Sequence, residues 1–213
     1  MIWNNKVLFI HTPKTAGMSM TQMLLESLEG QVFVTGPFEQ KREDRVGYLP
    51  GRRHETLVDA QSFFTYRNMD LAGFERIFAV MRNPYDLELS RYAYLRKNLP
   101  QDRGPAQKIA LANDYKEYLK QAPFFGMNPP RLNLYFSMNG ALPDNLTVLK
   151  FENLNADIET YMSPYLSAGY KLPFENVSKH KKYQEVYDAE CEQLVFDRNR
   201  WFFEKGFYAR ENF

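Results

Sequence analysis

An apolar run at residues 76–82, reading Arg-Ile-Phe-Ala-Val-Met-Arg, is followed closely by Pro84. The run does not alternate with polar side chains, so it fits a strand covered on both faces rather than a half-solvated one. A proline just past its end cannot continue the strand and suits the first position of a helix. The same handover occurs near the start of the chain. Residues 6–11 form an apolar run, and within 18–28 the side chains Met20, Met23, Leu24, Leu25 and Leu28 recur at helical spacing until Gly30. Further strands are expected at 31–35 and 146–150. Helices are expected at 54–66, from Pro84 to about 97, and at 107–121, 153–161 and 183–205. Residues 36–53, 99–106 and 122–130, rich in Gly, Pro and charge, read as loops. Strands separated by helices imply an α/β fold with a mostly parallel central sheet flanked by helices.

Size and composition fit that reading. The 213 residues suffice for one domain spanning 1–213, with a core that needs no covalent staples. Lys plus Arg number 27 against 26 Asp plus Glu, a net charge of +1, which gives no overall field to hold a nucleic acid. The longest apolar runs, 7–10 and 77–81, fall far short of the ~20 residues a membrane span requires. A single cysteine, Cys191, excludes an internal disulfide and fits a reducing, cytoplasmic setting. The three histidines are dispersed, so no metal site is expected. Oligomeric state is not legible.

Two segments carry charge chemistry. The first is His11-Thr12-Pro13-Lys14-Thr15-Ala16-Gly17-Met18-Ser19, a loop between strand and helix. A helix start presents unpaired N–H groups and the positive end of the dipole, which suits a phosphate. Lys14 adds a charge, Thr15 and Ser19 add hydroxyls, and Gly17 lets the backbone come close. A Walker A loop would place the lysine after the second glycine; here it precedes Gly17. A plain strand-to-helix turn with an exposed lysine explains the same residues. The second segment is Arg82-Asn83-Pro84-Tyr85-Asp86, with Ser90 about two turns along the following helix. Arg82 and Ser90 together would suit a phosphate at the carboxyl end of a strand; Arg82 taken alone would suit an ordinary ion pair.

The two segments in this order resemble the sulfotransferase superfamily, in particular its carbohydrate-type and bacterial branch. The resemblance continues in His54-Glu55-Thr56, in Leu149-Lys150-Phe151-Glu152-Asn153-Leu154 with Asp157, and in Asn176-Val177-Ser178-Lys179. It implies a P-loop-like sheet and 3′-phosphoadenosine 5′-phosphosulfate (PAPS) as the sulfuryl donor, with no metal. The loop from Lys14 through Thr15, Ala16, Gly17, Met18 and Ser19 would hold the 5′-phosphosulfate. Arg82 and Ser90 would hold the 3′-phosphate, with Ser178 and Lys179 closing over the nucleotide. His54 would be the general base, since imidazole titrates near neutral pH, with Glu55 and Asp59 as substitutes. A helix cap is the other reading of His54, and a solvated face the other reading of the basic run 179–182. Phe124, Phe125 and Met127 would line an acceptor cleft or simply pack. The expected acceptor is a saccharide or small molecule bearing a hydroxyl or, failing that, an amine. Met18 and Glu88 depart from the pattern. A nucleotide-dependent kinase and a non-catalytic nucleotide-binding module are the rival readings.

Overall fold

In a computed structural model, residues 1–36, 44–97, 104–123, 131–173 and 181–213 are described. They gather into two compact units, one of Met1–Met81 with Leu134–Asn176 and one of Arg82–Asn133 with Val177–Phe213.

The first unit carries a six-stranded sheet. Its strands are β1 (Ile2–Trp3), β2 (Val7–Ile10), β3 (Val32–Thr35), β4 (Val46–Leu49), β5 (Arg76–Met81) and β6 (Leu146–Lys150). Their spatial order is β4-β3-β1-β2-β5-β6. The parallel trio β2, β5, β6 pairs Phe9 with Phe78 and Phe78 with Thr147, and β3 runs parallel to β4. The α/β expectation holds, but the sheet is mixed, because β1 runs antiparallel to both β2 and β3. The cause is local. Asn4 Oδ1 accepts the amides of Lys6 and Val7, both at 2.9 Å, and the Asn4 amide donates to the Val7 carbonyl at 3.1 Å. That tight reversal leaves no length for a crossover, so the two strands must run antiparallel.

The expected loop at 36–53 contains β4. Gly47 and Pro50 hid it, yet Gly47 faces Phe33 in register, and a Cβ there would lie 2.7 Å from the Phe33 ring. The aromatic ring covers the glycine, which steadies an edge strand that is otherwise short of side chains.

Alternation along the strands sends Val7, Phe9, Phe78, Val80 and Leu149 to one face, where they bury against Met20, Met23 and Leu24 of helix α1 (Gly17–Ser27). Ile158 and Met162 join the same cluster. Leu8, Ile10, Ile77 and Ala79, on the other face, are also buried. Helix α2 (Leu57–Thr65) begins later than the expected 54, at a capping box. Thr56 Oγ1 accepts the Asp59 amide, and Asp59 Oδ2 accepts the Thr56 amide.

In the second unit, helices α3 (Pro84–Leu95), α4 (Pro105–Ala112) and α5 (Tyr115–Gln121) surround a core of Tyr85, Leu89, Ala110, Tyr118 and Val195. The single helix expected at 107–121 is two, because Asp114 leaves the helix and caps the Glu117 amide at 2.9 Å. In the first unit, the helix expected at 153–161 is the short α6 (Leu154–Asp157) with a wider turn through Met162. Helix α7 (Ala189–Glu204), in the second unit, starts at the Asp188 cap rather than at 183 and kinks at Asn199. There the Asn199 side-chain amide donates to the Val195 carbonyl, in place of regular helical geometry.

Candidate functional site

The β2-to-α1 turn has a strained backbone. Lys14 and Ala16 both have left-handed backbones, with φ of 63° and 58°. Each such non-glycine residue costs on the order of 1–3 kcal/mol, and strain of that kind concentrates at functional sites. Ala16 stands at the N-cap position, where it offers no side-chain acceptor, and no acidic residue lies in the first turn of α1. Neither the cap side chain nor a first-turn acid therefore supplies an acceptor to the N–H groups and dipole of this eleven-residue helix. Among the described residues the buried Thr12 hydroxyl has no hydrogen-bond partner. Thr15 was expected to offer a donor, but its Oγ1–H is spent on the Thr12 carbonyl at 2.8 Å. Ser19 is buried, Lys14 and Ala16 are half-buried, and Met18 is exposed.

Gly17 is needed here for a different reason from the one its sequence position suggests. A Cβ would fall 1.5 Å from His11 Nε2, because the His11 ring lies directly against the glycine. His11 itself is buried, and its Nδ1 has no partner. Burial holds its pKa well below the usual imidazole range, and the charges of His54, the terminal amino group and Arg53 push the same way. His11 therefore stays neutral.

His54 meets this turn from the segment before α2. It lies two residues ahead of the Thr56 cap, so the helix-capping reading of His54 is corrected. Its Nδ1 is 3.0 Å from the His11 carbonyl, and the two rings stand 4.6 Å apart and tilted at 69°. A carbonyl only accepts, so His54 Nδ1 carries the hydrogen, and in the neutral ring the lone pair belongs to Nε2. Burial lowers the His54 pKa, with Arg53 and the terminal amino group adding to the effect, while the bond to His11 opposes it. Tyr135 donates to the His54 carbonyl at 3.2 Å and fixes the segment from the other side. The substitute bases are engaged elsewhere. Glu55 accepts from Thr35 at 2.5 Å and from the Arg52 amide at 3.2 Å, and Asp59 holds the capping box and an ion pair with Arg52 at 3.0 Å.

Arg82 and Ser90 do converge, with Nη1 donating to Ser90 Oγ at 3.1 Å. Sequence reading missed what holds the rest of the guanidinium. Nε donates to Asp86 Oδ2 at 2.7 Å, and Nη2 makes the ion pair with the same carboxylate at 2.7 Å. Both expectations for Arg82 are met at once: it converges on Ser90, and it is an ion-pair partner. Asn83 caps α3 by accepting the Tyr85 amide at 2.9 Å. Glu88, the other departure from pattern, is fully buried on α3, 3.9 Å from Arg91 and 3.6 Å from Arg198.

Ser178 and Lys179, and the aromatic candidates Phe124, Phe125 and Met127, lie outside the described residues. Among the described residues no group of three or more His, Cys, Asp or Glu could hold a metal ion, and no helix is long and apolar enough to cross a membrane. His11, expected from the sequence to shape the loop, lies against Gly17, and Thr12 is the residue that sequence reading passed over. Only its place beside the lysine could have flagged Thr12.

No family model matches the chain, and no curated protein matches it either. Among solved structures, the chain is similar to mouse sulfotransferase SULT7A1 complexed with PAP. The TM-score is 0.49 at 14% identity, over 97% of this chain and 86% of that one.

Proposed function

We propose that the protein is a sulfotransferase that moves the sulfuryl group of PAPS to a hydroxyl, or less readily an amine, of a saccharide or small-molecule acceptor in the cytoplasm. The observation that carries this reading is the tautomer of His54. With Nδ1–H donated to the His11 carbonyl, Nε2 presents a lone pair beside a strained, uncapped helix start that bears Lys14.

That helix start fits the anionic end of such a donor. Among the described residues the Thr12 hydroxyl has no hydrogen-bond partner, and α1 has neither a side-chain cap nor an acid in its first turn. The reading assigns the 5′-phosphosulfate to Lys14, Thr15, Ala16, Gly17, Met18 and Ser19. It assigns the 3′-phosphate to Arg82 and Ser90, where Asp86 has to yield part of its hold on the guanidinium. Ser178 and Lys179 remain assigned to the nucleotide by resemblance alone.

When bound, PAPS supplies the sulfuryl group and a phosphate leaving group. His54 Nε2 takes the acceptor's proton as the acceptor oxygen bonds to sulfur, and the sulfur–oxygen bond to the phosphate breaks. Lys14 and the amides at the start of α1 neutralise the charge that grows on the leaving oxygen, an interaction strongest in the transition state. The proton ends on His54, the sulfuryl group on the acceptor, and the electron pair of the broken bond on the phosphate.

The test is transfer of label from sulfur-labelled PAPS to a panel of saccharides and small alcohols. Label moved by the wild type, and lost in His54→Gln and in Lys14→Ala, supports the assignment. Nucleotide binding without transfer to any acceptor points to a non-catalytic module. Transfer of phosphate from ATP with Mg²⁺ points to a kinase.

A further inference from the structure

His11 takes no part in the chemistry above, yet it touches both halves of it. Its ring lies against Gly17, at the first residue of α1, so closely that any side chain there would overlap it. Its carbonyl receives His54 Nδ1 at 3.0 Å, and its ring stands 4.6 Å from the His54 ring. One buried residue thus bears on the loop that carries Lys14 and on the imidazole that would take the proton.

We propose that His11 is a positioning residue: its ring, seated on Gly17, holds its carbonyl in the direction that keeps the hydrogen of His54 on Nδ1 and leaves Nε2 free to accept a proton. As a statement about catalysis this rests on the sulfotransferase reading; as a statement about the two imidazoles it does not.

The physical case has three parts. A carbonyl can only accept, so as long as it faces His54 Nδ1 the other tautomer loses that hydrogen bond. The carbonyl's direction is set by the backbone between β2 and Pro13, and that residue is anchored by its ring, which is wedged against Gly17. Finally, His11 does not compete for the proton. Burial keeps it neutral, and the charged groups around the pair, namely Arg53 and the terminal amino group, disfavour a second positive charge. Shape rather than basicity is then what the site asks of position 11.

That last point makes the proposal testable without any substrate. The chain has only three histidines, His11, His54 and His180, so ring nitrogen spectra of ¹⁵N-labelled protein can be assigned by substitution. In the wild type, His54 should show hydrogen on Nδ1 and a midpoint below the usual 6.5, and His11 should stay neutral over the same range. His11→Ala, which removes the seat, should redistribute the His54 hydrogen between its two nitrogens and lower its midpoint, because the bond to the His11 carbonyl is the contribution that raises it. His11→Phe, which keeps a flat ring against Gly17, should restore the wild-type His54 spectrum. Gly17→Ala should resemble His11→Ala, although it touches neither imidazole's chemistry.

A wild-type His54 with its hydrogen on Nε2 overturns the proposal, whether or not the variants fold. So does an unchanged His54 spectrum in folded His11→Ala. Failure of the sulfotransferase reading would show separately, as absence of label transfer with these spectra unaltered. If transfer is observed, the acid limb of the pH–rate profile should move with the His54 midpoint in His11→Ala and return in His11→Phe.

Discussion

Two strand-to-helix turns in this chain were built from similar-looking charge motifs, and they came out opposite. At the start of α1 the cap position is a left-handed alanine, the first turn has no acid, and a buried threonine hydroxyl has no partner among the described residues. At the start of α3 the cap is Asn83, proline fills the first position, and Asp86 grips Arg82 with two contacts of 2.7 Å. Both carry a cation followed by a helix. At the first, neither the cap side chain nor a first-turn acid contributes an acceptor; at the second, Asn83 and Asp86 both do. Lys14 sits on a strained, left-handed backbone, whereas Arg82 must give up part of an ion pair to bind anything. The difference teaches that a helix start is open to an anion to the extent that its cap position and first turn hold no acceptor of their own.

The largest effect that would sharpen this contrast is at the base. His54→Gln should lower label transfer from PAPS by about 10²–10⁴-fold while leaving nucleotide binding in place, since general-base catalysis contributes on that order. Lys14→Ala should lower the rate by about 10²–10³-fold, as removal of one charge-stabilising group does. It should leave the melting temperature of the free protein nearly unchanged.

Acid stability should report the α1 turn as well. His11 is neutral in the folded state because burial lowers its pKa, so the unfolded chain binds the extra proton. The sign follows: stability is full above about pH 6.5 and falls as pH drops below it, by at most about 1.4 kcal/mol per unit from this residue. In His11→Phe that slope should flatten between pH 6.5 and 5, measured by denaturant unfolding at a series of pH values. The smallest effect concerns α3. Asp86→Asn should tighten binding of adenosine 3′,5′-bisphosphate up to about fivefold, since a partly exposed ion pair is worth about 1 kcal/mol or less. Weaker binding in that variant would break the comparison, for it would make Asp86 a partner of the site rather than a rival of the ligand.

What could be read from the sequence followed its periodicity. The trio of parallel strands at 7–10, 76–81 and 146–150 was legible because each is an apolar run closed by a change of composition. The two-residue β1 was not, being too short to show a period, and β4 was hidden by a glycine whose missing side chain is supplied by Phe33. The break between α4 and α5 turns on one residue, Asp114, whose side chain prefers the cap to the helix interior. At the candidate site, residue types were legible and partners were not. Lys14, His54, Arg82 and Ser90 could be named from chemistry and resemblance, and the convergence of Arg82 on Ser90 from helical spacing. That Asp86 would occupy the other edge of Arg82, that Thr15 would spend its proton on Thr12, and that His11 would orient His54 depend on contacts that spacing does not encode.

The most direct test of the central claim, that the Lys14 turn is held open for the anionic end of an adenine nucleotide, is thermal unfolding with adenosine 3′,5′-bisphosphate against ATP with Mg²⁺. A ligand at 100 times its dissociation constant stabilises by about 2.7 kcal/mol, enough to raise a melting temperature measurably. The account predicts a clear rise with the bisphosphate in the wild type, a much smaller rise in Lys14→Ala, and little response to ATP with Mg²⁺. A rise with ATP and Mg²⁺ alone, or an equal rise with the bisphosphate in Lys14→Ala, would contradict it.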